Sequence, residues 1–160
     1  MVIKKNTHAP LRLPKLLLFE NYISTKVEFT DSCRYDIGKE QLDVNKLFGV
    51  GYFPGHHNNS VRFGWRYDKE QDAIEILSYF YNNKKRDFCS MAWVQIGFPA
   101  YYTIFIRENE HVLSIVTTNM FHEIAEVSVP VKGKKVGYLL RPYFGGNKKA
   151  PHDIEINIEL

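Results

Sequence analysis

Ten short runs in which apolar and polar residues alternate recur about every ten residues along this chain. The turns between them are rich in Asp, Asn, Gly and Lys, and they are too short to hold the helices of βαβ units. A period of two places successive side chains on opposite faces of a β-strand. The sequence therefore predicts an all-β fold, an antiparallel β-sandwich of jelly-roll type, with under about a tenth of its residues in helix. The predicted strands are 22–30, 46–53, 61–67, 73–81, 88–96, 101–107, 111–117, 123–129, 135–143 and 153–160.

The length of 160 residues fits a single domain, 1–160, with a sizeable core. No apolar run reaches the ~18 residues of a membrane span, so membrane insertion is not expected. The N-terminus lacks the apolar region of a signal peptide, which favours a cytoplasmic or particle-associated protein. The net charge is +3, and the lysines are scattered through turns instead of forming one stripe. Nucleic acid is therefore not an expected partner.

The alternation is clear enough to assign the core face of several strands. In 61–67 and 73–81, one set of alternate residues is mainly apolar, while the other set carries arginine, glutamate and tyrosine. We expect the apolar parity to point into the sandwich. The predicted core positions are Val61, Phe63, Trp65, Ile74, Ile76, Ile104, Ile106, Ile154, Ile156 and Ile158.

The opposite parity of the same strands predicts a polar and aromatic binding face. Forked arginine donors beside aromatic rings suit a sugar, whose C–H face stacks and whose hydroxyls accept hydrogen bonds. Gly64, between two arginines, would leave room for a ligand to approach the backbone. The alternative to a binding face is a purely structural role, in which these residues form cross-strand ion pairs and the tyrosine hydroxyls face solvent. The predicted ligand-binding residues are His56, His57, Arg62, Arg66, Glu75, Tyr79 and Trp93.

Metal and thiol chemistry have little support in the sequence. His56 and His57 are adjacent in a turn and lack a carboxylate or cysteine partner at metal-ligand spacing, so loop contacts are favoured over zinc. No cofactor is expected. A structural calcium ion near Asp153 remains an alternative, although calcium needs six to eight oxygens. Cys33 and Cys89 form no CxxC motif and are predicted to be buried free thiols, with a single Cys33–Cys89 bridge as the alternative.

Three segments carry a resemblance to a known family: FTDSCRYDIG, LDVNKLFGVGYFPGHHNNSVRFGWRY and LLRPYFGGNKKAPHDIEI. They resemble segments of small, functionally uncharacterised bacterial proteins. The closing YFGG…APHDI pattern is similar to the end of concanavalin A-like jelly rolls, a group that includes lectins, carbohydrate-binding modules, laminarinases and alginate lyases. The resemblance implies a two-sheet jelly roll with a concave ligand face.

The catalytic motifs of those enzymes are absent at the matching positions. The laminarinase-like ExDxE pattern reads Glu155-Ile156-Asn157-Ile158-Glu159, and the lyase-like Gln-x-His reads Gln95-Ile96-Gly97. No catalytic residue is therefore assigned, and the leading hypothesis is non-catalytic binding of a glycan or polysaccharide by a lectin-like jelly roll. Two alternatives remain open. One is a structural or virion-associated protein that forms a homo-oligomer or enters a particle, and the other is a small carbohydrate-active hydrolase or lyase.

Overall fold

A computed structural model of the chain describes residues 1–10, 15–118 and 122–160. Strands account for 54% of the chain and helix for 4%, so the predicted all-β class is confirmed. The helical part comprises two single 3-10 turns, Asp31–Cys33 and Gly38–Glu40. The described strands are β1 (Val2–Ile3), β2 (Leu16–Leu18), β3 (Tyr22–Phe29), β4 (Asn45–Gly51), β5 (Ser60–Asp68), β6 (Ala73–Asn82), β7 (Lys85–Gln95), β8 (Ala100–Ile106), β9 (His111–Thr117), β10 (Glu123–Val129), β11 (Val136–Leu140) and β12 (Ile154–Ile158).

The strands form two six-stranded antiparallel sheets that pack as a sandwich. The first sheet has the order β1-β12-β3-β8-β9-β10, and the second has the order β2-β11-β4-β5-β6-β7. In the second sheet, β5 pairs with β6 along its whole length, and β6 pairs with β7 with one irregularity in register. The hairpin between β6 and β7 turns at Asn83 and Lys84, which both have positive φ, as a two-residue turn of matching twist requires.

All ten predicted strands are present, with differences at their ends. The largest difference at a strand start is in β7, which begins at Lys85 instead of 88. The short strands β1 and β2 were not predicted, because two or three residues are too few to display a period.

The core lies between the two sheets and is rich in aromatic side chains. Trp65 contacts Phe29, Tyr35 and Phe144 at ring-centroid distances between 5.4 and 6.2 Å. Nine of the ten predicted core residues are buried, and Ile106 is partly buried against the same cluster. The strand registers inferred from the alternation are therefore correct.

One buried polar pair crosses this core. His111 Nδ1 lies 2.6 Å from the carbonyl oxygen of Val131, which can only accept, so this nitrogen carries the proton. Nε2 then accepts from the Tyr52 hydroxyl at 2.6 Å. Burial lowers the pKa of His111, partly offset by the bond to Val131. The arrangement holds a neutral imidazole.

Both cysteines are free thiols, as predicted, but only one is buried. Cys33 is fully enclosed, and burial raises the pKa of its thiol to about 12. Cys89 is exposed, so the prediction that both thiols are buried is wrong for this residue. The physical reason is its place on β7, an edge strand whose first six residues are all exposed.

Among the described residues, no helix is long and apolar enough to cross a membrane.

Candidate functional site

The polar face of the second sheet is the face that points away from the core. The pairing of β5 with β6 places Arg62 opposite Tyr79 and Arg66 opposite Glu75. The pairing of β6 with β7 places Glu75 opposite Trp93. Since paired residues share a face, the predicted binding residues on these strands do lie on one surface, which we call the outer face.

At one end of the outer face, an ion pair forms one wall of a groove. Arg66 Nε donates to Glu75 Oε2 at 2.5 Å, and Arg66 Nη1 donates to the carbonyl oxygen of Leu42 at 3.0 Å. The side chain of Glu75 is 8% exposed, so the pair is largely withdrawn from water. This groove, which we call the Trp93 groove, has a volume of about 400 Å³ and is lined by Gln41, Leu42, Arg66, Tyr67, Asp68, Lys69, Glu70, Glu75 and Trp93.

The indole of Trp93 is the large aromatic surface of this groove. It is 46% exposed, although its Nε1 donates to Asp68 Oδ2 at 3.1 Å. The other oxygen of Asp68 accepts from the backbone nitrogens of Glu70 and Gln71. Burial works to raise the pKa of Asp68, but the hydrogen bonds from Gln71, Trp93 and Glu70 outweigh it and lower the pKa. The ring is therefore held in place by a carboxylate that stays ionised.

The centre of the outer face is filled, contrary to the expectation of open space at Gly64. A Cβ at position 64 would lie 2.5 Å from Val44 Cγ1 and 3.5 Å from Leu77 Cβ. Val44, Leu77 and Tyr79 form a small apolar cluster on this face, separate from the main core. The loop before β4 thus lies across the face as a ridge, which we call the Val44 ridge. The Val44 side chain occupies the room that Gly64 leaves. This position is favourable because it removes the apolar surface of valine from water.

Beyond the ridge, the outer face carries a second set of predicted residues. Arg62 is only 8% exposed and donates from Nη2 to the carbonyl oxygen of Arg141 at 3.0 Å. Burial lowers the pKa of Arg62 to about 10, and electrostatic interactions with Tyr79, Tyr138 and Tyr81 partly oppose this shift. Tyr79 is 5% exposed. About 13 Å of strand separate Arg62 from Arg66, as four residues at 3.3 Å require.

His56 and His57 lie at the far end of the outer face from Trp93. Their ring centroids are 4.3 Å apart, and His57 contacts the ring of Tyr81 at 5.1 Å. Burial, followed by the neighbouring His57 and Arg62, lowers the pKa of His56. The seven predicted residues therefore share a face but form two separate regions divided by the Val44 ridge.

Several residues of this surface were missed by the sequence argument. Lys46 was placed only as a strand end, and Arg86 was assigned to a turn. A shift of register between Lys46 and Gly49 interrupts the alternation of β4, so parity could not be followed through it. Arg86 lies within β7, opposite Tyr81, because that strand begins earlier than predicted.

The residues considered for metal binding have other contacts. Asp153 accepts from Lys4 Nζ and from the Lys5 backbone nitrogen, both at 2.8 Å. Across residues 1–10, 15–118 and 122–160, no group of three or more His, Cys, Asp or Glu residues is placed to hold a metal ion.

Comparisons with known proteins identify similar folds. No family model matches the chain, and no curated protein matches it in sequence. A functionally unknown protein from Saccharomyces cerevisiae superposes with a TM-score of 0.56 at 8% identity, over 92% of this chain and 72% of that one. The enzymatically active domain of tailspike protein 2 from bacteriophage CBA120 gives a TM-score of 0.51 at 12% identity, over 98% of this chain and 23% of that one. The chain is thus similar in fold to both proteins and spans less than a quarter of the tailspike domain.

Proposed function

We propose that this chain is a non-catalytic carbohydrate-binding protein that holds a glycan in the Trp93 groove. The observation that carries the proposal is a half-exposed indole beside a largely buried arginine–glutamate pair in one groove. An indole face stacks on the C–H face of a sugar ring, and a fixed guanidinium and carboxylate supply directional donors and acceptors. The volume of about 400 Å³ lies in the range of small-molecule sites.

The fixed geometry of the groove supports the proposal. Trp93 is held by Asp68, and Arg66 is held by both Glu75 and the Leu42 carbonyl group. A preformed site loses little side-chain entropy when a ligand binds. The resemblance of the closing segment to concanavalin A-like jelly rolls adds a second, independent argument.

The test measures binding of neutral oligosaccharides by calorimetry, with hexamers of cellulose, laminarin, xylan and mannan as probes. Trp93→Ala should weaken binding of whichever probe binds by about tenfold to a hundredfold, since loss of such a contact costs about 1–3 kcal/mol. Trp93→Phe, which keeps a ring, should restore part of the affinity.

Phe98→Ala is the matched control, because Phe98 is 48% exposed and does not line the groove. The Phe98→Ala variant should bind each probe with the affinity of the wild type. If no probe from a wider glycan array binds, or if both alanine variants bind as the wild type does, the Trp93 groove is not a glycan site. Release of shorter sugars from any probe would instead identify an enzyme.

A particle or oligomer component is the second candidate, and one surface favours it. Exposed apolar side chains gather where β2 pairs with β11, namely those of Leu16, Leu18, Phe19 and Val136. Such patches mark contact surfaces in many proteins. The similarity to a bacteriophage tailspike domain is compatible with this candidate. Sedimentation of the wild type and of Leu18→Ser at several concentrations distinguishes an assembly that uses this patch from a monomer.

A further inference from the structure

A cluster of cations lies on the outer face beyond the Val44 ridge. Burial is the main cause that lowers the pKa of Lys46 on β4, and Arg62 on β5 and Arg86 on β7 lie near enough to lower it further. Asp43 is the acidic residue that acts on Lys46 in the opposite direction. The charged groups that act on Lys46 are therefore two cations and one carboxylate.

The hydrogen-bond partners of Lys46 and Arg62 are neutral carbonyl groups. Lys46 Nζ donates to the carbonyl oxygen of Gly145 at 3.0 Å and lies 5.2 and 5.8 Å from the ring centroids of Tyr79 and Tyr143. Arg62 donates to a carbonyl group, and its Nε is buried with no hydrogen-bond partner within the described residues. No ion pair within the described residues includes either of them. Burying a cation without an ion pair is costly, so an anion from solution would be favourable beside Lys46 and Arg62.

A small cavity opens beside these cations. It has a volume of about 110 Å³ and is lined by Leu42, Asp43, Val44, Lys46, Tyr79, Arg86, Phe88 and Gly146. At about 30 Å³ for each water, this volume holds three or four waters, or one group the size of a carboxylate or a sulfate. Phe88 stands at its rim, 42% exposed, with its ring nearly parallel to that of Tyr79 at 6.3 Å.

We infer that this cavity binds the anionic group of an acidic sugar residue, a carboxylate or a sulfate ester, against Lys46 and Arg86. This inference rests on the proposed function, and it names the class of glycan as acidic. Leu42 lines both the cavity and the Trp93 groove, so a single oligosaccharide that crosses the Val44 ridge reaches both. The face of Phe88 is available to the ring of the acidic residue.

The experiment compares tetragalacturonate with its methyl ester, which has the same sugar units without the charge. The acid should bind at least about tenfold more tightly, and Lys46→Gln and Arg86→Gln should each lower its affinity about tenfold to a hundredfold. Neither variant should change the affinity for the ester. A sulfated oligosaccharide of equal length, titrated in parallel, distinguishes a carboxylate site from a sulfate site.

NMR can follow the ionisation of Lys46 directly. Burial, with Arg62 next in effect, lowers the pKa of Lys46 to about 8. A bound anion favours the charged lysine, so the Nζ titration observed by NMR should move to higher pH when tetragalacturonate is added. Affinity for the acid should therefore decline above about pH 8, and this decline should vanish in Lys46→Gln.

Lys39→Gln is the matched control, since Lys39 belongs to the short 3-10 turn and does not line the cavity. If acid and ester bind equally and both glutamine variants leave binding unchanged, the inference is wrong while a neutral glycan site stands. If inorganic sulfate shifts the Lys46 titration but no oligosaccharide binds, the inference of an acidic sugar is overturned together with the glycan function. A Lys46 titration that no anion moves also overturns the inference.

Discussion

Replacing Gly64 by alanine tests whether the centre of the outer face is filled. The added Cβ would lie 2.5 Å from Val44 Cγ1, whereas carbon atoms pack comfortably at about 3.5–4.0 Å. The Val44 side chain would therefore have to move by about 1 Å. Because it is 7% exposed and packed against Leu77 and Tyr79, we expect Gly64→Ala to lower the free energy of unfolding by about 1–3 kcal/mol.

The same change should be tolerated once Val44 is shortened. Val44→Ala alone removes two buried methyl groups and should cost about 1–2.5 kcal/mol. In that background, the Cβ at position 64 enters vacated space and removes the backbone entropy of glycine, worth about 0.5–1 kcal/mol. The double variant should then be at least as stable as Val44→Ala, with a coupling of about 1 kcal/mol or more between the sites.

The measurement is urea denaturation followed by tryptophan fluorescence, in which the buried Trp65 next to Gly64 reports unfolding. Gly55→Ala is the control, since the nearest atom to its added Cβ is 3.8 Å away and the change should stay within about 0.5 kcal/mol. A Gly64→Ala variant as stable as the wild type would refute the claim that Val44 fills the space beside Gly64. Stability changes of Gly64→Ala and Val44→Ala that simply add in the double variant would refute it as well. One continuous groove along the outer face would then be restored.

Two further predictions concern buried titratable groups. Because the pKa of His111 is lowered in the folded state, the unfolded chain takes up a proton first as the pH falls below about 6.5. His111 should therefore contribute a loss of stability below that pH of at most about 1.4 kcal/mol per pH unit. The urea midpoints of His111→Gln should show a smaller loss than those of the wild type, and an equal loss would contradict the assignment. For the thiols, Ellman's reagent should react with Cys89 in the folded protein and with Cys33 only after unfolding, and rapid labelling of both would show that Cys33 is accessible.

The class of fold and the membership of each face followed from the sequence alone. Parity along a strand is a local property, so the alternation in 61–67 and 73–81 was enough to place Trp65 inward and Arg62 outward. The same reasoning placed Arg66 and Glu75 on one face, and only the structure shows that they lie opposite each other. It failed at β4, where the shift of register after Lys46 breaks the period.

What covers the outer face was decided only by the tertiary structure. The contacts that bury Lys46 and Arg62 come from Gly145 and Arg141, 99 and 79 residues away along the chain. The Val44 ridge likewise comes from a loop with no periodic pattern. Strand periodicity records which side of a sheet a residue occupies, but whether that side faces water depends on distant segments that the local pattern does not encode. The sequence therefore determined the polar face, and long-range packing divided it into a groove and a cationic cavity.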